Sequence, residues 1–193
     1  MQKLFYEDIH MVDFTAVVTE CIPTDTPGQF QVLLDRTAFF PEEGGQPADT
    51  GTITIVSSAS VLQVLDVQIR DNCIYHILSS PIPVGANITG HVDWDRRFDF
   101  MQQHSGEHII SGLIHSHFGL DNVGFHLGLE EVTLDMNGEL VPEQLRMIEQ
   151  EANQVIWRNL PILISYPSPE ELAHLDYRSK LDLTEDVRIV EIP

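Results

Sequence analysis

Basic residues are scarce in this chain. Ten Lys and Arg stand against thirty Asp and Glu, a formal net charge of −20 over 193 residues. A surface of that sign repels phosphate backbones, so any nucleic acid must be held by a local patch. Arg96 and Arg97 are adjacent, and Arg178, Lys180 and Arg188 fall near the end. They form either a small positive patch or a scatter of solvated charges. Cysteine is nearly absent: Cys21 and Cys73 are far apart, with no motif around either. That argues against a disulfide framework and a catalytic thiol, and makes a reducing, cytoplasmic compartment the expectation. No apolar run approaches the roughly 20 residues of a membrane-spanning helix. The first residues, MQKLFYEDIH, lack the basic start and apolar core of a signal peptide. Internal repeats and low-complexity segments are also missing. What remains is an ordinary globular composition, 42% apolar, long enough for one domain or two small ones.

Residues 1–92 read as β structure. DFTAVVTEC, QFQVLLD, TGTITIV, SVLQVLDVQI, CIYHIL and ANITGHVD are short Val-, Ile- and Leu-rich runs separated by turn signals. Such spacing predicts a small barrel or sandwich. One stretch breaks the pattern: TAFFPEEGGQPADTG, from Thr37 to Gly51. Its Gly44-Gly45-Gln46-Pro47 core has neither period. Glycines there allow positive φ or a close backbone approach, in either a binding loop or a plain long hairpin connection.

Around Asp93 to Arg97 the period changes from 2 to 3.6, which places a domain boundary there. Arg96 to Phe118, RRFDFMQQHSGEHIISGLIHSHF, holds four of the nine histidines. Phe98, Met101, His104, His108 and Ile109 recur at helical spacings and predict one amphipathic face. His104 and His108, four apart, lie nearly in line and about 6 Å apart along the axis. Two imidazoles so placed either converge on a metal ion, as zinc ligands do, or form a polar helix face. Glu107 completes H-x-x-E-H, a pattern shared with inverzincin peptidases. His115 lies about 10 Å further along the axis than His108, so it and His117 read as structural or surface residues.

Downstream, GLDNVGFHLG predicts a turn and a short extended piece, and EEVTLDM a strand ended by Asn137-Gly138. Pro142 opens a helix with Leu145, Ile148, Ala152, Val155 and Ile156 as its buried stripe. ILISY and VRIVEI read as strands and PEELAHL as a short helix, so the second half is α+β, two helices against a sheet.

The two unusual stretches together resemble one family. TAFFPEEGGQPADTG resembles the T-x-F-(Y/F)-P-E-x-G-G-Q-P-x-D-x-G motif of alanyl-tRNA editing proteins of the freestanding AlaX type. MQQHSGEHIISG resembles their H-x-x-x-H helix, shared with the alanyl-tRNA synthetase editing domain. NVGFHLG, VTLDM, EANQVI, YRSK and VRIVEIP follow in the family's order, so the resemblance covers nearly the whole chain.

It implies an α+β protein: a translation-factor-like β-barrel domain over 1–92 and a two-layer α/β editing domain over 93–193. It implies hydrolysis of the ester of mischarged tRNA(Ala), seryl-tRNA(Ala) foremost and glycyl-tRNA(Ala) as the alternative, with tRNA as partner and neither DNA nor a membrane. His104 and His108 match two ligands of the family's Zn2+. The other two come from a C-x-x-x-H segment that has no counterpart before Pro193. The expectation is therefore an editing domain incomplete at its C-terminal end, holding zinc weakly or not at all and nearly inactive by itself. Thr37, Gln46 and His126 are the candidate catalytic residues. Gly44, Gly45, Gly124 and Phe125 are the candidate substrate-binding residues, and Arg96, Arg97, Arg178 and Lys180 the candidate tRNA contacts. Two other classes compete. One is an H-x-x-E-H metallopeptidase using Glu185, which leaves the glycine loop unexplained; the other is a non-catalytic module that binds tRNA or protein.

Overall fold

The computed structural model describes residues 1–128, 130–175, 177 and 187–193. In chain order the strands are β1 (Gln2–Lys3), β2 (Asp13–Pro23), β3 (Phe30–Leu34), β4 (Arg36–Thr37), β5 (Gly51–Ile55), β6 (Ser60–Arg70), β7 (Cys73–Leu78) and β8 (Asn87–Val92). Helix α1 (Trp94–Phe118) follows, then β9 (Asn122–Leu127), β10 (Val132–Met136), α2 (Pro142–Trp157), β11 (Leu163–Ser165), α3 (Pro169–Leu172) and β12 (Ile189–Glu191). The class is α+β.

The six strands read from the first half close into one antiparallel barrel, in the order β2-β3-β7-β6-β5-β8. Alternation along each strand sends one set of side chains inward. Phe14, Ala16 and Val18 of β2 and Ile53 and Ile55 of β5 are buried, and their neighbours are not. Register is sharply specified where bulk meets no bulk. Phe14 pairs with Gly90, and a Cβ on Gly90 would lie 2.2 Å from the Phe14 ring. Bulges at Val18/Glu20 and Val64/Asp66 add the bending that closure of so small a sheet requires.

One polar residue sits in the barrel core. His76 of β7 is fully buried. Its Nδ1 lies 3.1 Å from the Val32 carbonyl oxygen and its Nε2 2.8 Å from Thr37 Oγ1. Burial pushes the imidazole down to about 4, against a smaller upward pull from the Val32 hydrogen bond. An unfolded chain titrates its histidines near 6.5. Between these two values the unfolded state binds more protons, so stability falls as pH drops from about 6.5 through about 4. The loss should approach 3 kcal/mol, at about 1.4 kcal/mol per pKa unit. Urea unfolding of the parent protein and of His76→Gln at pH 7 and pH 4 checks this. The acid-induced loss should be smaller in the variant by roughly that amount; equal losses would show that folded His76 protonates freely.

Contacts divide the chain into two compact units. The first, Met1–Glu107 with Asn122–Asn137, holds the barrel, the first half of α1 and the β9–β10 hairpin. The second, His108–Asp121 with Gly138–Pro193, holds the rest of α1, α2, α3 and the antiparallel pair β11–β12. Its buried side chains include Ser111, Ile114, Ile148, Ala152, Leu172 and Val187. The single sheet expected downstream of α1 is thus two separate two-stranded ladders among the described residues. The stripe expected on α2 is also narrower: Ile148 and Ala152 are buried, while Leu145 and Ile156 are more than half exposed. The Gln144 side chain caps the start of α2, accepting the Val141 N–H at 2.9 Å.

Candidate metal centre on the first helix

The glycine stretch folds as a tight turn. Glu43 and Gln46 exchange backbone hydrogen bonds of 3.1 and 3.2 Å, with Gly44 at φ +63 and Gly45 at φ +82 between them. Positive φ at both central positions is the type I′ signature, which explains two consecutive glycines. Gly45 has a second constraint. A Cβ there would stand 2.9 Å from Phe125 Cδ1, whereas a Cβ on Gly44 would meet nothing within 4 Å. Gly44→Ala should therefore cost about 1 kcal/mol for left-handed backbone alone. Gly45→Ala should cost about 2 kcal/mol or more, because Phe125 must also move. Urea unfolding of the two variants measures the difference; equal losses would mean that the Phe125 contact is slack.

The loop that carries this turn is pinned to the start of α1. Asp49 accepts the Phe40 N–H at 2.6 Å and is fully buried with Arg97, which is 3% exposed. Arg97 Nε donates to both Asp49 oxygens at 3.2 and 3.0 Å, and Nη2 donates to Asp49 and to the Ala38 carbonyl. Arg96 Nε donates to the Ala48 carbonyl at 3.2 Å and its guanidinium lies 4.5 Å from the centre of the Phe100 ring. The buried face of α1 runs Arg97, Phe100, Glu107, Ser111 and Ile114, with His104 half-buried in line. This corrects the face expected from the sequence: Phe98 is exposed, and Met101 and Ile109 are only half-buried.

His104, Glu107 and His108 come together on that helix. Their candidate ligand atoms all lie within 4.8 Å of one another. Within five residues of one helix, backbone geometry alone holds the set. The turn reaches the first of them: His104 Nδ1 lies 3.0 Å from Gln46 Oε1. Phe125 of β9 flanks the same ring, with centroids 5.3 Å apart. Glu107 is 6% exposed and accepts Asn122 Nδ2–H at 2.5 Å. Two imidazoles and a carboxylate are donors that zinc takes, so the residues present fit that ion. Asn122 was not anticipated. It stands fifteen residues from Glu107, and nothing local in NVGFHLG marks it.

The other anticipated residues are placed as follows. Gly124 lies against Asp135, whose Oδ2 would be 2.6 Å from an added Cβ. His126 is exposed on β9, opposite Thr133. Thr37 is fully buried; its hydroxyl sits against His76 and accepts the Phe39 N–H at 3.1 Å. Arg97 is paired with Asp49 in the interior. His115 and His117 pair on the surface with Asp121 and Glu151, at 2.8 and 2.7 Å. Arg178, Lys180 and Glu185 lie outside the described residues. No helix among the described residues is long and apolar enough to cross a membrane.

Residues 4–96 match the family model for class II (A) tRNA synthetases. The chain is 38% identical over 176 residues to the rat alanyl-tRNA editing protein Aarsd1, covering 85% of this chain and 41% of that protein. It is 31% identical to alanyl-tRNA editing protein AlaX-L of Pyrococcus horikoshii, covering 100% of this chain and 48% of the relative. The chain thus spans about half the length, or less, of these curated relatives. AlaX-M of Methanosarcina barkeri is nearer in length: 34% identity over 203 residues covers 99% of this chain and 82% of the relative. At that identity and mutual coverage, and with the glycine turn set against the H-x-x-x-H helix, the chain belongs to the alanyl-tRNA editing protein family.

Proposed function

We propose that the protein hydrolyses the ester of tRNA(Ala) carrying the wrong amino acid, with seryl-tRNA(Ala) as its main substrate and glycyl-tRNA(Ala) as a lesser one. The observation that carries this reading is the hydrogen bond from the glycine turn to the helix, Gln46 to His104. It joins the two family motifs at one place, fifty-eight residues apart in sequence. In this reading residues 1–92 are the barrel domain and residues 93–193 the editing domain. The compartment is the cytoplasm.

His104 and His108 hold Zn2+, which supplies polarisation of a carbonyl or a bound water of lowered pKa. Gln46 holds the His104 ring in one orientation. Gly44, Gly45, Gly124 and Phe125 shape the wall against which the aminoacyl end rests, and exposed His126 follows Phe125 as a candidate catalytic group. Serine differs from alanine by one hydroxyl. A site that hydrogen-bonds this hydroxyl rejects the analogue lacking it far better than an apolar pocket rejects an added group. Arg96 contacts the tRNA backbone, joined by Arg178 and Lys180.

The test is deacylation of seryl-, glycyl- and alanyl-tRNA(Ala) in parallel, with zinc supplied, by the protein extended with the family's C-x-x-x-H segment. Loss of the seryl ester should be at least tenfold faster than loss of the alanyl ester. Equal rates for all three, or rates no faster than without protein, would sink the reading.

A further inference from the structure

Helix α1 opens with the run Trp94-Asp95-Arg96-Arg97-Phe98-Asp99. Trp94 and Phe98, four apart, stack with ring centroids 5.5 Å apart and planes 21° from parallel. His10, from the segment before β2, extends the row, its ring centroid 5.6 Å from that of Trp94. Phe98 is 43% exposed, Trp94 is half-buried and His10 is exposed. At about 100° per residue, Phe98 lies about 120° around the helix from His104. The row of rings is thus on a different side of α1 from the ring that meets Gln46. Single apolar side chains are ordinary on a surface, whereas rings grouped together and rimmed by polar groups mark an interaction face.

Beside the rings runs a second pair with the same spacing, Asp95 and Asp99, both exposed. Asp95 complements the positive end of the helix, but Asp99 is in the second turn, beyond the reach of that effect. Like charges four apart destabilise a helix. Among the described residues neither carboxylate has a hydrogen bond or an ion pair. The nearby cations are directed elsewhere. Arg96 donates to the Ala48 carbonyl and lies over the Phe100 ring, and Arg97 is buried against Asp49. On the far side of the row, Asp8 accepts the His10 backbone N–H at 2.9 Å. The rim of the rings is therefore acidic on both sides.

We propose that this face docks a basic segment of a partner protein through an arginine. A guanidinium laid on the open side of Phe98 gains cation–π attraction from the ring. Its planar fork at the same time meets the carboxylate of Asp95 or Asp99. An ammonium group has neither the plane nor the fork, so lysine fits less well. Charge disfavours the two other occupants. The carboxylates repel RNA phosphates, and a second copy of this chain brings another −20. Docking here is separate from ester hydrolysis and does not depend on it.

The probe is an amidated arginine-glycine repeat peptide, titrated at low salt into protein carrying Trp157→Phe. Trp157 is 78% exposed, and its removal leaves Trp94 as the only tryptophan of the two in the chain. Trp94 fluorescence should change saturably. Phe98→Ala should weaken binding about threefold to fivefold, and Asp95→Asn combined with Asp99→Asn about tenfold. Replacing arginine by lysine in the peptide should weaken it at least threefold, since the fork and the stacking are lost. The whole chain is acidic, so the control removes the same charge elsewhere. Glu143→Gln with Glu149→Gln, both exposed on α2, should leave binding within twofold of the parent. An equal loss in that control, or an unmoved Trp94 signal, would overturn the proposal. So would oligoadenylate binding at Trp94 more tightly than the peptide, which makes the face an RNA platform. A dimer in sedimentation that Phe98→Ala dissociates would also overturn it, because a second copy is then the occupant. Urea unfolding separates docking from a structural role: Asp99→Asn should be at least as stable as the parent, and a clear loss would count against docking.

Discussion

Exchanging Arg97 for alanine is expected to cost about 3–5 kcal/mol of folding stability, the range for breaking a buried ion pair from one side. Asp49 is fully buried, and its carboxylate takes the Arg97 guanidinium and the Phe40 N–H together. Without Arg97 that charge stays in the interior with one backbone donor. Removing both partners is the informative contrast. Arg97→Met combined with Asp49→Leu leaves no orphan charge, so it should recover much of the loss. Urea unfolding at pH 7 of the two single variants and the double variant measures the coupling. A single-variant loss under about 1 kcal/mol would place the pair in the class of solvated surface bridges. The tie also holds the strand-to-turn loop against α1. The Arg97→Ala protein should therefore lose metal affinity as well, although no ligand has been touched.

The second large effect belongs to His104. In the protein extended with the family's C-x-x-x-H segment, His104→Ala should lower single-turnover deacylation of seryl-tRNA(Ala) by about a thousandfold or more, since metal assistance contributes several kcal/mol and each 1.4 kcal/mol is tenfold. Bound zinc should fall with it. The fold should persist, because the ring is half-buried at the edge of the packed face and does not lie within the barrel core. Gln46→Ala should lose less, about tenfold to a hundredfold, because the ligand remains and only its orientation is released. Circular dichroism separates either result from unfolding. A His104→Ala protein with activity within tenfold of the parent would remove this helix from the reaction.

These expectations rest unevenly on what the sequence displays. The barrel was legible because its strands alternate: Phe14, Ala16 and Val18 in β2 and Ile53 and Ile55 in β5 face inward at period 2. The glycine pair was legible as special because few backbones call for Gly-Gly between acidic and amide residues, and the I′ turn is one of them. The orientation of α1 was not legible. Its buried side carries Arg97, His104, Glu107 and Ser111 among only two large apolar residues, Phe100 and Ile114. A search for apolar period settles instead on Phe98, Met101 and Ile109, because burial here is bought with hydrogen bonds. The pairing of Arg97 was not legible for the same reason. Its partner is forty-eight residues away, and a single sequence carries no sign of such a pairing. Thr37 stood in a motif, which says that the position matters without saying that it faces inward to His76.

The closure of the barrel sets an order of assembly. Asp13 at one end of β2 meets His91 at the end of β8, seventy-eight residues later, and the Asp93 N–H then bonds the Thr50 carbonyl at 2.8 Å. Local helix can form in α1 as soon as it is made. His104 meets Gln46 only after these distant strands have paired, and contacts of such long range form slowly because loop-closure entropy is lost before they are gained. Capture of a metal by these residues would thus be a late folding event. By mass action, an ion that binds only the assembled centre also stabilises the closed barrel, by RT ln(1 + [M]/Kd). A ligand site on one helix would thereby act as a latch on a sheet that contributes no donor atom to it.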